Sequence, residues 1–184
     1  MQDHEDDVIL VDETDRAIGA HAKLAAHQLG LRHRAISVLV VNASGEILLQ
    51  RRALGKYHSG GLWTNTCCSH PRPGEDVLVS AQRRLNEEMG FTTPLYPLFV
   101  TEYRAQVGSL IEHEIVHAFG GTYNGTVNPN AEEVSEHRWR KPETLKRDMI
   151  HQPELFTPWF QIYMDRHAAQ IQALITKAQT QLSN

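Results

Sequence analysis

The chain has 184 residues, 41% of them hydrophobic, and a formal net charge of −4 at pH 7. That apolar content suits one domain with a real core, while the absence of a basic block disfavours a nucleic-acid or anionic-membrane partner. No run approaches the ~18 continuous apolar residues of a membrane span. The start, MQDHEDD, is acidic where a secretory signal would be basic and then apolar, so a cytoplasmic location is expected.

In chain order, residues 8–13 (VILVDE) read as a short strand, followed by a turn at TDRAIG. Residues 21–30 (HAKLAAHQLG) predict a short helix stopped by Gly30. AISVLVVNASGEILLQRR holds two β-rich runs around Asn-Ala-Ser-Gly, a hairpin with a four-residue loop. LGKYHSGGLWTNT carries three glycines and no sustained period, so it reads as a loop. Over 74–90, Val77, Leu78, Ala81, Leu85 and Met89 recur at three- and four-residue steps, with acids at the start and Gly90 as the stop: a helix. LFVTEYRAQVG and LIEHEIVHAFGGTY predict paired strands turning near Gly108. EHRWRKPETLKRDMIHQP predicts a strand end and then a helix entered through Pro142. Residues 156–184 predict one long final helix, with Thr157 as N-cap and Pro158 in first position. The sum is one α+β domain over 1–184, with a mixed or antiparallel sheet, an N-terminal extension and a C-terminal helix.

Four readings fit the adjacent Cys67 and Cys68 in WTNTCCSHPRPGE: disulfide, metal site, reactive thiol or apolar filler. Neighbouring α-carbons stand about 3.8 Å apart, against roughly 4.4–6.8 Å for bridged pairs, so the disulfide is disfavoured. The other three stay open. Arg83 with Glu87 and Arg84 with Glu88 are four apart and read as helix-surface ion pairs. In a strand, Glu112 and Glu114 share a face opposite Ile111, His113 and Ile115. That face is either a solvated edge or a hard-metal site, since neighbouring carboxylates repel without a cation between them. His27, His33 and His70 can complete a nitrogen–oxygen shell suited to Mn, Zn or Mg. The other eight of the eleven histidines, His58 among them, carry no expectation.

RRLNEEMGF resembles the end of the Nudix signature, whose helix acids bind magnesium on a diphosphate. Glu75, Arg83, Leu85, Glu87, Glu88 and Phe91 match it, whereas Ser69 replaces the opening glycine and Arg84 replaces an acid. A guanidinium in place of a carboxylate turns a cation ligand into an anion ligand. This weighs against the alternative function, a Nudix diphosphate hydrolase. With RRALGK, WTNTCCSHP, EHEIVHAF and FTPWF added, residues 8–159 resemble the type I isopentenyl diphosphate isomerases.

That resemblance implies a Nudix-type α/β/α fold and interconversion of isopentenyl and dimethylallyl diphosphate by moving protons on and off an alkene. It implies Cys68 as the catalytic cysteine, Glu114 as the acid–base glutamate, Tyr103 as its hydrogen-bonding partner and Trp159 as the indole at the hydrocarbon end. A tightly bound Mn2+, Zn2+ or Mg2+ is implied at His27, His33, His70, Glu112 and Glu114. The first two histidines are one residue closer together than in the family pattern. Glu88, with the Cys68 carbonyl, is the implied ligand of a second ion, Mg2+ carried with the diphosphate. Lys23, Arg52, Lys56 and Arg84 are the implied diphosphate cations. The expected partner is a small isoprenyl diphosphate, bound by a monomer or weak dimer away from nucleic acid and membrane.

Overall fold

The computed structural model describes residues 7–180; the acidic start and the last four residues of the expected final helix lie outside the described residues. The order is β1 (Asp7–Val11), β2 (Ala17–Ala22), α1 (Lys23–Leu29), β3 (His33–Val41), β4 (Ile47–Arg52), β5 (Trp63–Thr64), β6 (Cys67–Ser69), α2 (Val77–Met89), β7 (Leu95–Val107), β8 (Leu110–Thr122), β9 (Val134–Arg140), α3 (Pro142–His151), a 3-10 turn (Pro153–Leu155), α4 (Pro158–Arg166) and α5 (Ala168–Thr180).

β3 is the spine. It runs parallel to β8 over nine pairs, from His33–Glu114 to Val41–Thr122, and antiparallel to β6. β8 pairs on its other side with β7 in a long antiparallel hairpin. The β3–β4 hairpin forms as expected but its strands share a single register pair, Val41–Ile47, and then part. β4 instead pairs with β9 and β5. The sheet is therefore mixed.

Both faces of β3 are buried, and its side chains alternate between two layers. Ile36, Val38 and Val40 pack toward α2 with Ala81, Leu85 and Met89. Ala35, Leu39 and Val41 pack toward α4 and α5 with Phe160, Tyr163, Ile171 and Ile175. This is an α/β/α sandwich. Asp76 caps α2 by accepting from the amides of Leu78 (2.9 Å) and Val79 (3.1 Å). Gly90 ends α2 with φ of +73°, and a β-carbon there would stand 2.1 Å from the Asn128 carbonyl oxygen, so no other residue fits.

Three expectations need correction. The stretch after TDR is not only a turn: Ala17–Ala22 forms β2, an exposed edge strand paired with β1. The loop over 54–66 ends in the short strand β5. The final helix is two helices, broken at His167, whose ring stacks on Phe99 at 3.9 Å while its carbonyl starts α5 by accepting from Ile171. Thr157 does hold the N-cap position of α4, but its hydroxyl donates to Thr64 Oγ1 (2.9 Å) rather than capping the helix.

Candidate active site

Sheet register assembles the first half of the site. Glu114 on β8 has His33 of β3 as its parallel partner and Tyr103 of β7 as its antiparallel one. The Tyr103 hydroxyl stands 2.7 Å from Glu114 Oε2 and 2.9 Å from Glu112 Oε2. His70, just past β6, places Nε2 2.9 Å from Glu114 Oε1, and His33 Nε2 lies 3.4 Å from the same oxygen. His27 comes from α1, with Nε2 3.7 Å from Glu112 Oε1. The shorter spacing between His27 and His33 does not separate them: their rings lie 4.6 Å apart. Glu112 (3% exposed) and Glu114 (6%) are buried, so this face is not a solvated edge.

The donor set suits a divalent cation. His27, His33, His70 and Glu114 each offer a ligand atom, all within 4.8 Å of one another. His27 Nδ1 is 2.7 Å from the Lys23 carbonyl and His33 Nδ1 is 2.8 Å from that of Leu31. A carbonyl only accepts, so each Nδ1 carries a proton, which leaves Nε2 as the nitrogen that can bind a cation. Burial holds His27 and His70 down at about 4, neutral at physiological pH. Burial also disfavours protonation of His33, but the hydrogen bond and charge of Glu114 outweigh it and raise its pKa. Burial, then the charge of Glu114, raises Glu112. Glu114 itself is held well below the carboxylate range, because bonds from His33 and His70 overcome its burial. Two buried carboxylates facing three imidazoles at these distances is the arrangement a cation relieves.

The cysteines are separated by strand alternation. On β6, Cys67 is fully buried among Ile36, Val38 and Ala81 on the α2 side, while Cys68 turns the other way. Both thiols are free, as expected. Cys68 Sγ lies 3.2 Å from Ser37 Oγ, its register neighbour, and 3.2 Å from Asn65 Oδ1. Burial pushes Cys68 up to about 12, with the bonds to Ser37 and Asn65 pulling part of the way back, so the sulfur keeps its proton.

The thiol and Glu114 line one cavity of about 310 Å³, together with Trp159, Tyr163, Tyr103, Glu88 and the cations Lys23, Arg52, Lys56 and Arg84. Trp159 is 3% exposed and fixed by an indole N–H bond to Thr64 Oγ1 (2.9 Å). Arg52 stands over its ring at 5.4 Å. Lys23 lies over Tyr57 at 5.5 Å. Lys56 pairs with Glu133, and burial, reinforced by Arg52, Arg84 and Lys23, lowers its pKa. Arg84 contacts Glu87 (2.7 Å), Glu88 (2.8 Å) and Glu133 (3.1 Å). The helix pairs foreseen from spacing therefore exist, but the Arg84–Glu88 pair faces the cavity rather than solvent. Glu88 also accepts from Gln50 Nε2 (2.8 Å). The Nε atoms of Arg52 and Arg84 are buried and unpaired within the protein, an orphaned donor pair that an anion in the cavity would satisfy.

Sequence reasoning missed Ser37, Asn65, Tyr163, Glu133 and His58. Tyr163 had a usable signal, since it lies one helical turn after Trp159, and so had Asn65, three residues before Cys68; Ser37, Glu133 and His58 depend on long-range contacts no spacing reveals.

The NUDIX domain family matches residues 31–160. Solved structures agree on the fold. A Deinococcus radiodurans protein, DR0079, superposes with a TM-score of 0.68 at 16% identity over 79% of this chain and 89% of its own. A MutT protein from Methanosarcina mazei gives 0.63 at 20% identity over 76% and 94%. Closer relatives narrow the class. The isopentenyl-diphosphate Delta-isomerase of Burkholderia multivorans is 50% identical over 163 residues, 88% of this chain and 93% of that one. Its namesake from Cereibacter sphaeroides strain KD131 is 52% identical over 154 residues, 81% and 86% respectively. The chain belongs to the isopentenyl-diphosphate Delta-isomerase family, within the Nudix fold. Among the described residues no helix is long and apolar enough to cross a membrane.

Proposed function

We propose that the protein interconverts isopentenyl and dimethylallyl diphosphate. The observation that carries this reading is the meeting of Cys68 and Glu114, from different strands, in one cavity that also holds a buried indole and a cluster of cations. One member of the pair gives a proton to the terminal alkene carbon, whose π electrons form the new C–H bond and leave a tertiary cation. The other removes a proton from the neighbouring carbon, and that C–H pair becomes the new double bond. Each turnover leaves the protonation states of the two groups exchanged, and proton exchange with solvent after product release returns them for the next.

The cation would be trapped by water, so the walls matter as much as the acid. Trp159 and Tyr163 form a dry aromatic side, and an indole face stabilises a desolvated cation by about 2 kcal/mol or more. Tyr103 holds Glu114 in place through its hydroxyl, and burial next to Glu112 and Glu114 keeps that phenol protonated. Ser37 and Asn65 hold the thiol of Cys68. Lys23, Arg52, Lys56 and Arg84 bind the diphosphate and restrain its departure as a leaving group. His27, His33, His70, Glu112 and Glu114 would hold a tightly bound Mn2+, Zn2+ or Mg2+, and Glu88 a Mg2+ brought with the diphosphate; the first would orient Glu114 and the second would neutralise phosphate charge. The working unit we propose is a monomer or weak dimer.

The test is incubation with isopentenyl diphosphate and Mg2+ in D2O, followed by NMR of the allylic protons. Deuterated dimethylallyl diphosphate is the expected product. Release of phosphate or pyrophosphate would replace this reading with Nudix hydrolysis, and no change at all would leave a non-catalytic binding protein.

A further inference from the structure

The turn between β4 and β5 is the strained part of the cavity wall. Ser59 is held at a φ of +51° and Gly61 at +79°. At Gly60 a β-carbon would stand 2.7 Å from the Leu54 carbonyl oxygen. Left-handed backbone at a non-glycine residue persists only where surroundings enforce it, and such residues gather at functional sites. What this turn delivers is the side chain next to Ser59, His58.

The His58 side chain is 6% exposed and points its Nε2 at Glu112 Oε1, 2.8 Å away. Its ring lies 5.7 Å from that of His27 and stands edge-on to Trp159 at 5.9 Å. The backbone carbonyl of His58 accepts from Arg52 Nη2 at 3.3 Å, which ties the turn to the cationic wall. The ring is held at both nitrogens. Nδ1 sits 3.1 Å from an oxygen, here Ser59 Oγ, and Nε2 faces the carboxylates. His27, His58 and Glu112 offer three buried ligand atoms within 4.8 Å of one another, a second ligand group that shares His27 with the first.

We propose that His58 is a further ligand of the metal centre, bound through Nε2 on the Glu112 side. This rests on the metal reading of the same site and extends it. His58 adds an imidazole at the Glu112 end of the centre, and an added nitrogen favours a first-row transition ion over Mg2+. The hydroxyl of Ser59 can accept the Nδ1 proton, which leaves Nε2 for the ion.

The test is metal binding by the full chain, independent of turnover. Protein carrying 15N-histidine is loaded with Mn2+, and pulsed electron paramagnetic resonance counts the coupled imidazole nitrogens. The wild type should show four coupled histidines; three would overturn the assignment, and this outcome does not depend on any variant folding. In His58→Ala and His58→Gln, checked for native melting, the count should fall by one. Retention against a competing chelator should weaken by about 10- to 100-fold, and Mn2+ should lose part of its advantage over Mg2+. Weaker retention with an unchanged nitrogen count would mean that His58 only hydrogen-bonds Glu112, and the ligand assignment would fall. A wild type that takes up no ion would remove the metal centre and His58 with it, whereas normal uptake with three histidines would remove His58 alone.

Discussion

The two walls of the cavity are built by different means. The imidazole–carboxylate wall is set by strand register: His33 and Tyr103 flank Glu114 because they are its pairing partners. The cationic wall consists of long side chains on α1, β4, α2 and the β4–β5 turn, each placed by packing or by an acid. Lys56 and Arg84 share Glu133, and Arg84 also holds Glu87 and Glu88. Register fixes atoms before a substrate arrives. Ion pairs with protein carboxylates have to be partly exchanged for phosphate. The first wall should therefore govern kcat, and the second KM and its salt dependence.

Cys68 stands where the walls meet, and removing it should have the largest effect. Cys68→Ala should cut turnover by about 10²–10⁴-fold or more, the scale of a lost general acid or base. Cys67→Ala should keep most activity, because strand alternation sends that side chain into the α2 core. Assaying both variants for dimethylallyl diphosphate, with circular dichroism as a fold control, decides it; the reverse ranking would refute the cysteine assignment.

Next in size is Glu114→Gln, which keeps the shape and removes the carboxylate. A fall in kcat of about 10²-fold or more with KM nearly unchanged is expected. A variant changed mainly in KM would break the division between the walls.

Arg84→Glu tests the other side. A hydrogen bond to a charged group is worth about 1.5–3 kcal/mol, so KM should rise roughly 10- to 100-fold, with a smaller change in kcat. Added salt should raise the wild-type KM and blunt the difference between the two proteins. An unchanged KM would argue against Arg84 as a diphosphate ligand.

The same contrast explains what could be read from the sequence. Helix α2 was legible from its period and Gly90, α3 from Pro142, and the β7–β8 hairpin from two β-rich runs about Gly108, because each signal is local. β2 was not, since AIGAHA has one β-branched residue and packs no apolar face. The break at His167 depends on a ring stacked on Phe99, 68 positions away by number (167 − 99). In the site, Glu112 and Glu114 were legible as a shared face because alternation is local. Their burial and the reach of His58 were not, because each is decided by a partner distant in the chain; alternation separates Cys67 from Cys68 only once β6 has formed against β3. The resemblance named thirteen site residues; Ser37, Asn65, Tyr163, Glu133 and His58 needed the fold.

The smallest effect separates a fixed ion pair from an exchangeable one within the cationic wall. Glu75 accepts from Arg83 Nε at 2.7 Å and Nη2 at 2.8 Å, and from the Arg72 amide at 2.9 Å. Chiefly through the Arg83 bonds, which outweigh its burial, its pKa falls from an ordinary 4.5 to about 2. The unfolded chain thus takes up a proton on Glu75 at higher pH than the folded one. Its stabilisation is complete above about 4.5, declines as pH falls, and is gone below about 2. For a partly solvated pair this amounts to about 1 kcal/mol. The difference in unfolding free energy between wild type and Glu75→Gln should therefore be constant near neutrality and shrink from pH 4.5 downward. Metal release at low pH strikes both proteins and drops out of that difference. If the difference instead stays flat to pH 3, Glu75 is not held by Arg83. The guanidinium would then belong with Arg84 among the cations free to exchange an acid for phosphate.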